Sequence, residues 1–450
     1  MQKLRSKRAS LWQSALDEVT AGSTGGAAAF GGAAPKVVKR PVDEDLATNE
    51  EVVKAIEELE FEGKKLPEPP APSPAAGVAD VAKFCSTTAF RLAEARLKSV
   101  FTGDDTEVQK LQQQLGEKFG LCDAKWTEAI KTYVRTHLGN QSIPYRPYND
   151  IGDYVIENRL PGDALVAMLA DWGTGEDGAK KMLQHIAKSK PDVVMHLGDV
   201  YYSGTEHEFQ NYFYGVWQQT LGLPKLKWNT KPPAPTKPAT FTLSGNHDMY
   251  AGGGPYYTTI DMLGQPASYF CLRNQHWQFI ALDTGLHDSN PTKGGATFLE
   301  DSEVEWLQDR IATKGNRKTV LLSHHQLFTG FNEEEIEGKS VNEKLFDQVK
   351  SVLPQVTLWL WGHEHNLVVF QKHLGVLGRC IGHAAFPVAT SEKQTRNDVP
   401  VAATLTPDPA QAFFPHGYAL IKLNGQNAKA RYMTYDPATD KATEIFSEDL

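Results

Sequence analysis

Residues 160–370 predict an α/β domain whose strands are buried on both faces. Three observations lead there: short apolar runs recur, amphipathic stretches lie between them, and the runs end in polar tips punctuated by glycine. Runs that stay apolar instead of alternating belong to strands covered on both sides. In such folds ligands collect outside the carboxyl ends of the strands.

The elements can be justified in chain order. Residues 1–79 are a linker-rich segment, because "AGSTGGAAAFGGAAPK" (21–36) and "LPEPPAPSPAAG" (66–77) carry too little side chain to offset chain entropy. Between them "NEEVVKAIEELEFEGKK" reads as a short acidic helix. Residues 80–142 read as a small helical region. Trp126, Ala129, Ile130, Tyr133, Val134 and His137 fall on one stripe, and Val108, Leu111 and Leu115 begin another after a cap at Asp105 or Thr106. His137 is then a buried structural histidine. This region points to a protein partner or to self-association.

Residues 143–450 read as the catalytic domain. Its strands are "DALVAMLADWG", "PDVVMHLGDVYY", "PATFTLSGNHD", "HWQFIALDTG", "KTVLLSHHQLF" and "QVTLWLWGHEHN", with helices in "GAKKMLQHIAKSK" and "EDSEVEWLQDRIA". The strand tips offer Asp171, Asp199, Asn246, His247, Asp248, His324, His325, His363 and His365, with Tyr201 and Tyr202 beside Asp199. Carboxylates, an amide oxygen and imidazoles without thiolates suit a mixed O/N site for Fe, Zn or Mn. So many such groups fit two metals sharing a carboxylate, the pair that clamps both ends of an in-line phosphoryl displacement.

Composition removes other classes. A formal net charge of −9 gives no basic face for nucleic acid. No apolar run reaches the roughly 20 residues of a membrane-spanning helix, so no membrane is expected. "MQKLRSKRASLWQSALDEV" lacks the apolar core of a secretion signal, and the expectation is a cytoplasmic protein. Cys85, Cys122, Cys271 and Cys380 are scattered, without the spacing of a thiolate zinc site or a disulfide framework.

The blocks ADWG, GDVYY, GNHD, LLSH and GHEH, in that order, resemble the metallophosphoesterase (calcineurin-like phosphoesterase) superfamily, and within it the purple acid phosphatase-like branch. "HGYALIKLNGQNAKARYMTYD" resembles that branch's closing strands. The resemblance implies an αββα fold, two packed β-sheets flanked by helices, here with a helical N-terminal region. It implies a metal-dependent phosphoric ester hydrolase with two metal ions, Fe(III) at the first site and Fe(II), Zn or Mn at the second. Asp171, Tyr202 and His365 would bind the first, Asn246, His324 and His363 the second, and Asp199 both. Gly173 stands where other branches carry a liganding histidine, leaving a place for Tyr202.

The implied reaction cleaves phosphomonoesters by in-line attack of a metal-bound hydroxide. His247 would donate to the phosphoryl or leaving oxygen, Asp248 would orient it, and His325 would face the phosphate ester substrate. A phosphodiesterase or nucleotide pyrophosphatase with the same metal site is the alternative, and a non-catalytic scaffold retaining the fold is a further rival. Tyr201 reads as packing, His196, Trp359 and Trp361 as core, and Asp283 as a structural cap. Trp172 reads as pocket wall, and His207, His383 and His416 as loop residues, with His383 the best outside candidate for the pocket.

Overall fold

The computed structural model describes residues 143–201, 203–289, 296–331, 339–386, 398–406 and 413–450. The linker-rich segment 1–79, the helical region 80–142 and Tyr202 lie outside the described residues. The chain divides into two compact units, and the elements below all lie in one of them, Ile143–Met249 with Gly253–Leu450.

The chain runs through β1 (Val155–Ile156), β2 (Leu165–Leu169), α1 (Asp177–Lys188) and β3 (Val193–His196). A continuous helical stretch follows: α2 (Glu206–Glu208), a π-helical segment Phe209–Tyr214, and α3 (Gly215–Leu221). Next come β4 (Ala239–Thr242), α4 (Asn246–Met249), α5 (Gly254–Leu263), β5 (Phe270–Arg273) and β6 (Trp277–Ala281). After α6 (Asp301–Ala312), β7 (Lys318–Leu322) and α7 (Glu343–Val349) the chain enters β8 (Leu358–Trp361), β9 (Leu367–Phe370), β10 (Gly378–Ile381) and β11 (Val401–Thr404). It closes with β12 (His416–Asn424), β13 (Asn427–Asp436) and β14 (Lys441–Asp449).

Local chemistry explains the helices. In α1, Ala179, Met182, Leu183 and Ile186 are the buried side chains, the one-face spacing of an amphipathic helix. Thr205 and Glu208 form a reciprocal capping box that starts α2. On α6 the buried face is Glu303, Trp306, Leu307, Arg310 and Ile311, so two charged residues go inward with the apolar ones.

The strands form two sheets. One has eight strands in the order β1-β5-β6-β7-β8-β10-β9-β11, and the other six in the order β14-β13-β12-β2-β3-β4. They pack on one another: Phe241 of β4 stacks on Phe270 of β5 at 4.9 Å, and Arg379 of β10 pairs with Glu448 of β14 at 2.6 Å. This is the two-sheet α/β architecture expected from the sequence. β2, β3 and β4 are parallel in one sheet, and β6, β7 and β8 in the other. Asp171, Asp199 and Asn246 follow the ends of the first set, and His324, His363 and His365 those of the second. Among the described residues no helix is long and apolar enough to cross a membrane.

His196, fully buried in β3, is a core histidine, as its sequence context indicates. Its Nδ1 lies 3.0 Å from Thr242 Oγ1, and its ring packs among Trp172, Phe213 and Trp217. Burial pushes it down to about 3. An unfolded chain therefore takes up this proton near its ordinary value of about 6.5, and the folded one only far below it. Stability is full above pH ~6.5 and falls as the pH drops towards 3, by on the order of 5 kcal/mol from this group. Denaturant titrations of His196→Leu at descending pH should show a shallower acid loss than the parent. An identical slope would show that His196 is not the group responsible.

Candidate metal centre

Four of the implied ligands take a left-handed backbone: Asp171 (φ 59°), Asp199 (φ 74°), His363 (φ 66°) and His365 (φ 51°). Such conformations cost non-glycine residues on the order of 1–3 kcal/mol each and persist only where the surroundings hold them. The hold is visible. The Asp248 carboxylate accepts from the amides of Gly245 (2.7 Å), Val200 (2.8 Å) and Asp199 (3.0 Å), tying the tip of β3 to that of β4. Asp199 Oδ1 accepts from His247 N at 3.0 Å, and Asp171 Oδ2 from His363 N at 2.9 Å, joining the two sheets. Two glycines give these carboxylates room. A Cβ on Gly245 would stand 2.1 Å from Asp199 Oδ1, and one on Gly362 2.5 Å from Asp171 Oδ2.

The side chains converge. Ligand-type atoms of Asp171, Asp199 and His324 lie within 4.8 Å of one another, as do those of His324, His325 and His363. Asn246 Oδ1 is 3.1 Å from His324 Nε2 and 3.0 Å from His363 Nδ1. Asp199 Oδ2 lies 3.3 Å from His324 Nε2 and 3.9 Å from His247 Nε2. His365 Nε2 lies 3.3 Å from Asp171 Oδ1. Both aspartates are fully buried, and among the described residues their ion pairs are with histidines.

Burial would lower the His324 imidazole, but Asp199 overrides it and, with Asp171, raises it to about 10. Burial would raise Asp199, whereas His324 and His247 hold it well below the usual carboxylate range. His363 is pushed well below its ordinary value by burial and by His325 and His324 beside it. Asp248 is raised to about 8 by burial and the Asp199 charge, against the pull of its three amides.

The donor set fits metal cations. Asp199 Oδ2 is buried and has no hydrogen-bond partner, although three imidazoles surround its carboxylate. In the metal-free chain the His324 imidazole, 3.3 Å from Oδ2, balances this buried charge, and a bound cation would take over that role. Two oxygens and an imidazole nitrogen beside it are the partners of a hard or borderline ion.

The structure brings together Asp171, Asp199, Asn246, His324, His363 and His365, all named from the sequence. Three other residues gain contacts that the sequence did not show. The Asp248 carboxylate accepts from the three backbone amides and so closes the loop. His325 is held on both ring nitrogens, Nδ1 by Thr284 Oγ1 (3.1 Å) and Nε2 by Asp288 Oδ2 (3.3 Å), and its ring walls the centre beside His363. Tyr201 is not a packing residue. Its hydroxyl donates to Asp171 Oδ1 at 2.9 Å and lies 2.8 Å from His365 Nε2. The left-handed turn at Asp199 breaks strand alternation, so counting along GDVYY does not tell which ring faces the aspartate.

Outside the centre, His383 is buried with Nε2 3.1 Å from Met433 O, a structural contact, and Asp283 caps the β6 tip by accepting from Ser244 and Leu286. Glu364, between the paired histidines, was missed from the sequence. It accepts from Trp361 Nε1 and Thr329 Oγ1 and so anchors their loop. A middle residue facing away from its neighbours' target carries no pattern signal of its own.

Residues 164–367 match the family described as calcineurin-like phosphoesterase. No curated protein matches the chain. Among solved structures, the chain is similar to one described as GAP50, the anchor in the inner membrane complex of Plasmodium, with 14% identity over 64% of this chain and 88% of that one (TM-score 0.43). It is also similar to a dimetal phosphatase from Danio rerio, at 11% identity over 63% and 98% of the two chains (TM-score 0.39). A third is the phosphopantetheinyl hydrolase of Mycobacterium tuberculosis, at 12% identity over 56% and 99% (TM-score 0.30).

Proposed function

We propose, from the premise that residues 164–367 are a calcineurin-like phosphoesterase domain, that the chain is a binuclear-metal phosphohydrolase of the purple acid phosphatase-like kind, acting on phosphomonoesters. The observation that supports it best is the buried Asp199 carboxylate, ion-paired among the described residues with histidines alone, at the meeting point of the donors from both sheets. Asp171 and His365 would hold one cation, Asn246, His324 and His363 the other, and Asp199 would serve both.

When bound, two such cations supply positive charge to the phosphoryl oxygens and make water acidic enough to act as nucleophile near neutral pH. The chain's own residues do the rest. Asp199 fixes the His247 backbone through Oδ1, which holds the imidazole at the rim of the centre, 8% exposed. From there His247 can hand a proton from Nε2 to the departing alkoxide oxygen. Thr284 and Asp288 lock the His325 ring against His363, which fixes the wall on the opposite side.

A phenol belongs to the purple branch's first site. Tyr202 matches the block by position, and Tyr201 carries its hydroxyl to Asp171 and His365. The test is metal analysis and a visible spectrum of the oxidised protein, with Tyr201→Phe and Tyr202→Phe alongside. Two metals per chain and a broad charge-transfer band are expected, the band disappearing in one of the variants, which identifies the ligand. A metal-loaded protein without the band would overturn the Fe(III)–phenolate assignment. Nitrophenyl phosphate should be hydrolysed at least about tenfold faster than its bis ester; the reverse preference would establish a phosphodiesterase.

A further inference from the structure

We propose that the chain has a second anion site, built for the phosphate group of a small phosphorylated organic molecule, at the end of the eight-stranded sheet opposite the metal centre. A cavity of about 600 Å³ opens there, lined by Glu157, Asn158, Arg273, Arg310, Thr313 and Arg317 among others. Topology assembles it. Arg317 immediately precedes β7, and Arg273 ends β5 opposite Gln278 near the start of antiparallel β6. Glu157 follows β1, which runs beside β5, while Arg310 and Thr313 close α6. β6 and β7, five residues each, begin at this cavity and end just before Asp283 and His324. At about 3.3 Å per residue the two ends are some 15 Å apart, and the cavity shares no lining residue with the metal centre.

Three guanidinium groups face one lining carboxylate in a chain whose net charge is −9. Part of their donor capacity is used. Arg273 binds Glu157 through Nε and Nη2, Arg317 gives Nε to Asn274 O and Nη1 to Lys314 O, and Arg310 pairs with Asp309 through Nη2. The side chain of Arg310 is only 6% exposed, and its Nε is buried with no hydrogen-bond partner among the described residues. That nitrogen is closed off, so an anion would instead meet Arg273 Nη1 and Arg317 Nη2, which make no hydrogen bond among the described residues. Guanidinium forks match phosphate geometry. Phosphate alone would fill a small part of a cavity this large, which lies in the roughly 300–1,000 Å³ range of organic ligands. Asn158 offers a neutral amide to the remainder of such a molecule.

The experiment is isothermal titration of the intact, metal-loaded chain with phenylphosphonate at low ionic strength. Two classes of site are expected. Arg317→Gln should weaken one class at least tenfold while kcat and KM for nitrophenyl phosphate stay unchanged, and Asn246→Ala should remove the other. Arg273→Gln, at a partly exposed position, is the second variant should Arg317→Gln melt early. Isotherms unchanged in both arginine variants would overturn the site. Inorganic phosphate binding the arginine-dependent class as tightly as phenylphosphonate would overturn the organic ligand. A protein that holds no metal would still show the arginine-dependent class, so failure of the metal-centre reading is distinguishable from failure of this one.

Discussion

Asp199→Asn should lose at least about a thousandfold in kcat while remaining folded, because it removes the anion that, on the proposed reading, both cations would share and keeps its shape. The asparagine can still accept the His247 amide that Asp199 Oδ1 accepts at 3.0 Å. What disappears is the charge on Oδ2, the buried oxygen without a hydrogen-bond partner. Metal content should fall from two equivalents to one or fewer. The melting temperature of the metal-free variant should fall below that of the metal-free parent, since His324, 3.3 Å from Asp199 Oδ2, loses the anion it is paired with. Full metal content with parent-like activity would remove Asp199 from the centre and the binuclear reading with it.

Gly245→Ala should be nearly as severe, although glycine has no chemistry to lose. The new Cβ would stand 2.1 Å from Asp199 Oδ1 and 2.7 Å from Asp199 N. The second of these is backbone, so no rotamer change relieves both, and the tip of β3 or of β4 must move. Overpacking of this kind costs about 1–3 kcal/mol in stability. Catalysis should suffer more, because displacing a reacting geometry by ~1 Å can cost a hundredfold. Circular dichroism should show a native-like spectrum and a lowered melting point, with metal binding lost or weakened. Normal metal uptake by a folded Gly245→Ala protein would mean that the loop is looser than its packing indicates.

Much of this molecule is legible one segment at a time. The runs "ALVAML", "VVM", "VLL" and "LWLW" are apolar at every position, which is what burial on both faces demands, and the polar tips mark where each strand ends. Strand identity and ligand type therefore follow from local composition. Asp171, Asp199, Asn246, His324, His363 and His365 could be named because each sits in a tip whose spacing from its strand is fixed. Tyr201, Asp248 and His325 could not be placed in the same way. Tyr201 lies two residues beyond the left-handed Asp199, Asp248 inside the short helix α4 and His325 in the bend after β7, where side-chain direction no longer follows period two.

The sequence by itself determined the fold class, six of the strands (β2, β3, β4, β6, β7 and β8) and the kind of ligand atoms at their ends, because those depend on burial pattern and side-chain chemistry within a few residues. Only the tertiary structure decided that Tyr201 meets Asp171 and His365, that Asp248 spends its oxygens on three amides, and that Arg273, Arg310 and Arg317 share a cavity. Those are meetings between residues far apart in the chain. They are set by how two sheets pack and how each loop turns, and no single stretch of sequence encodes them.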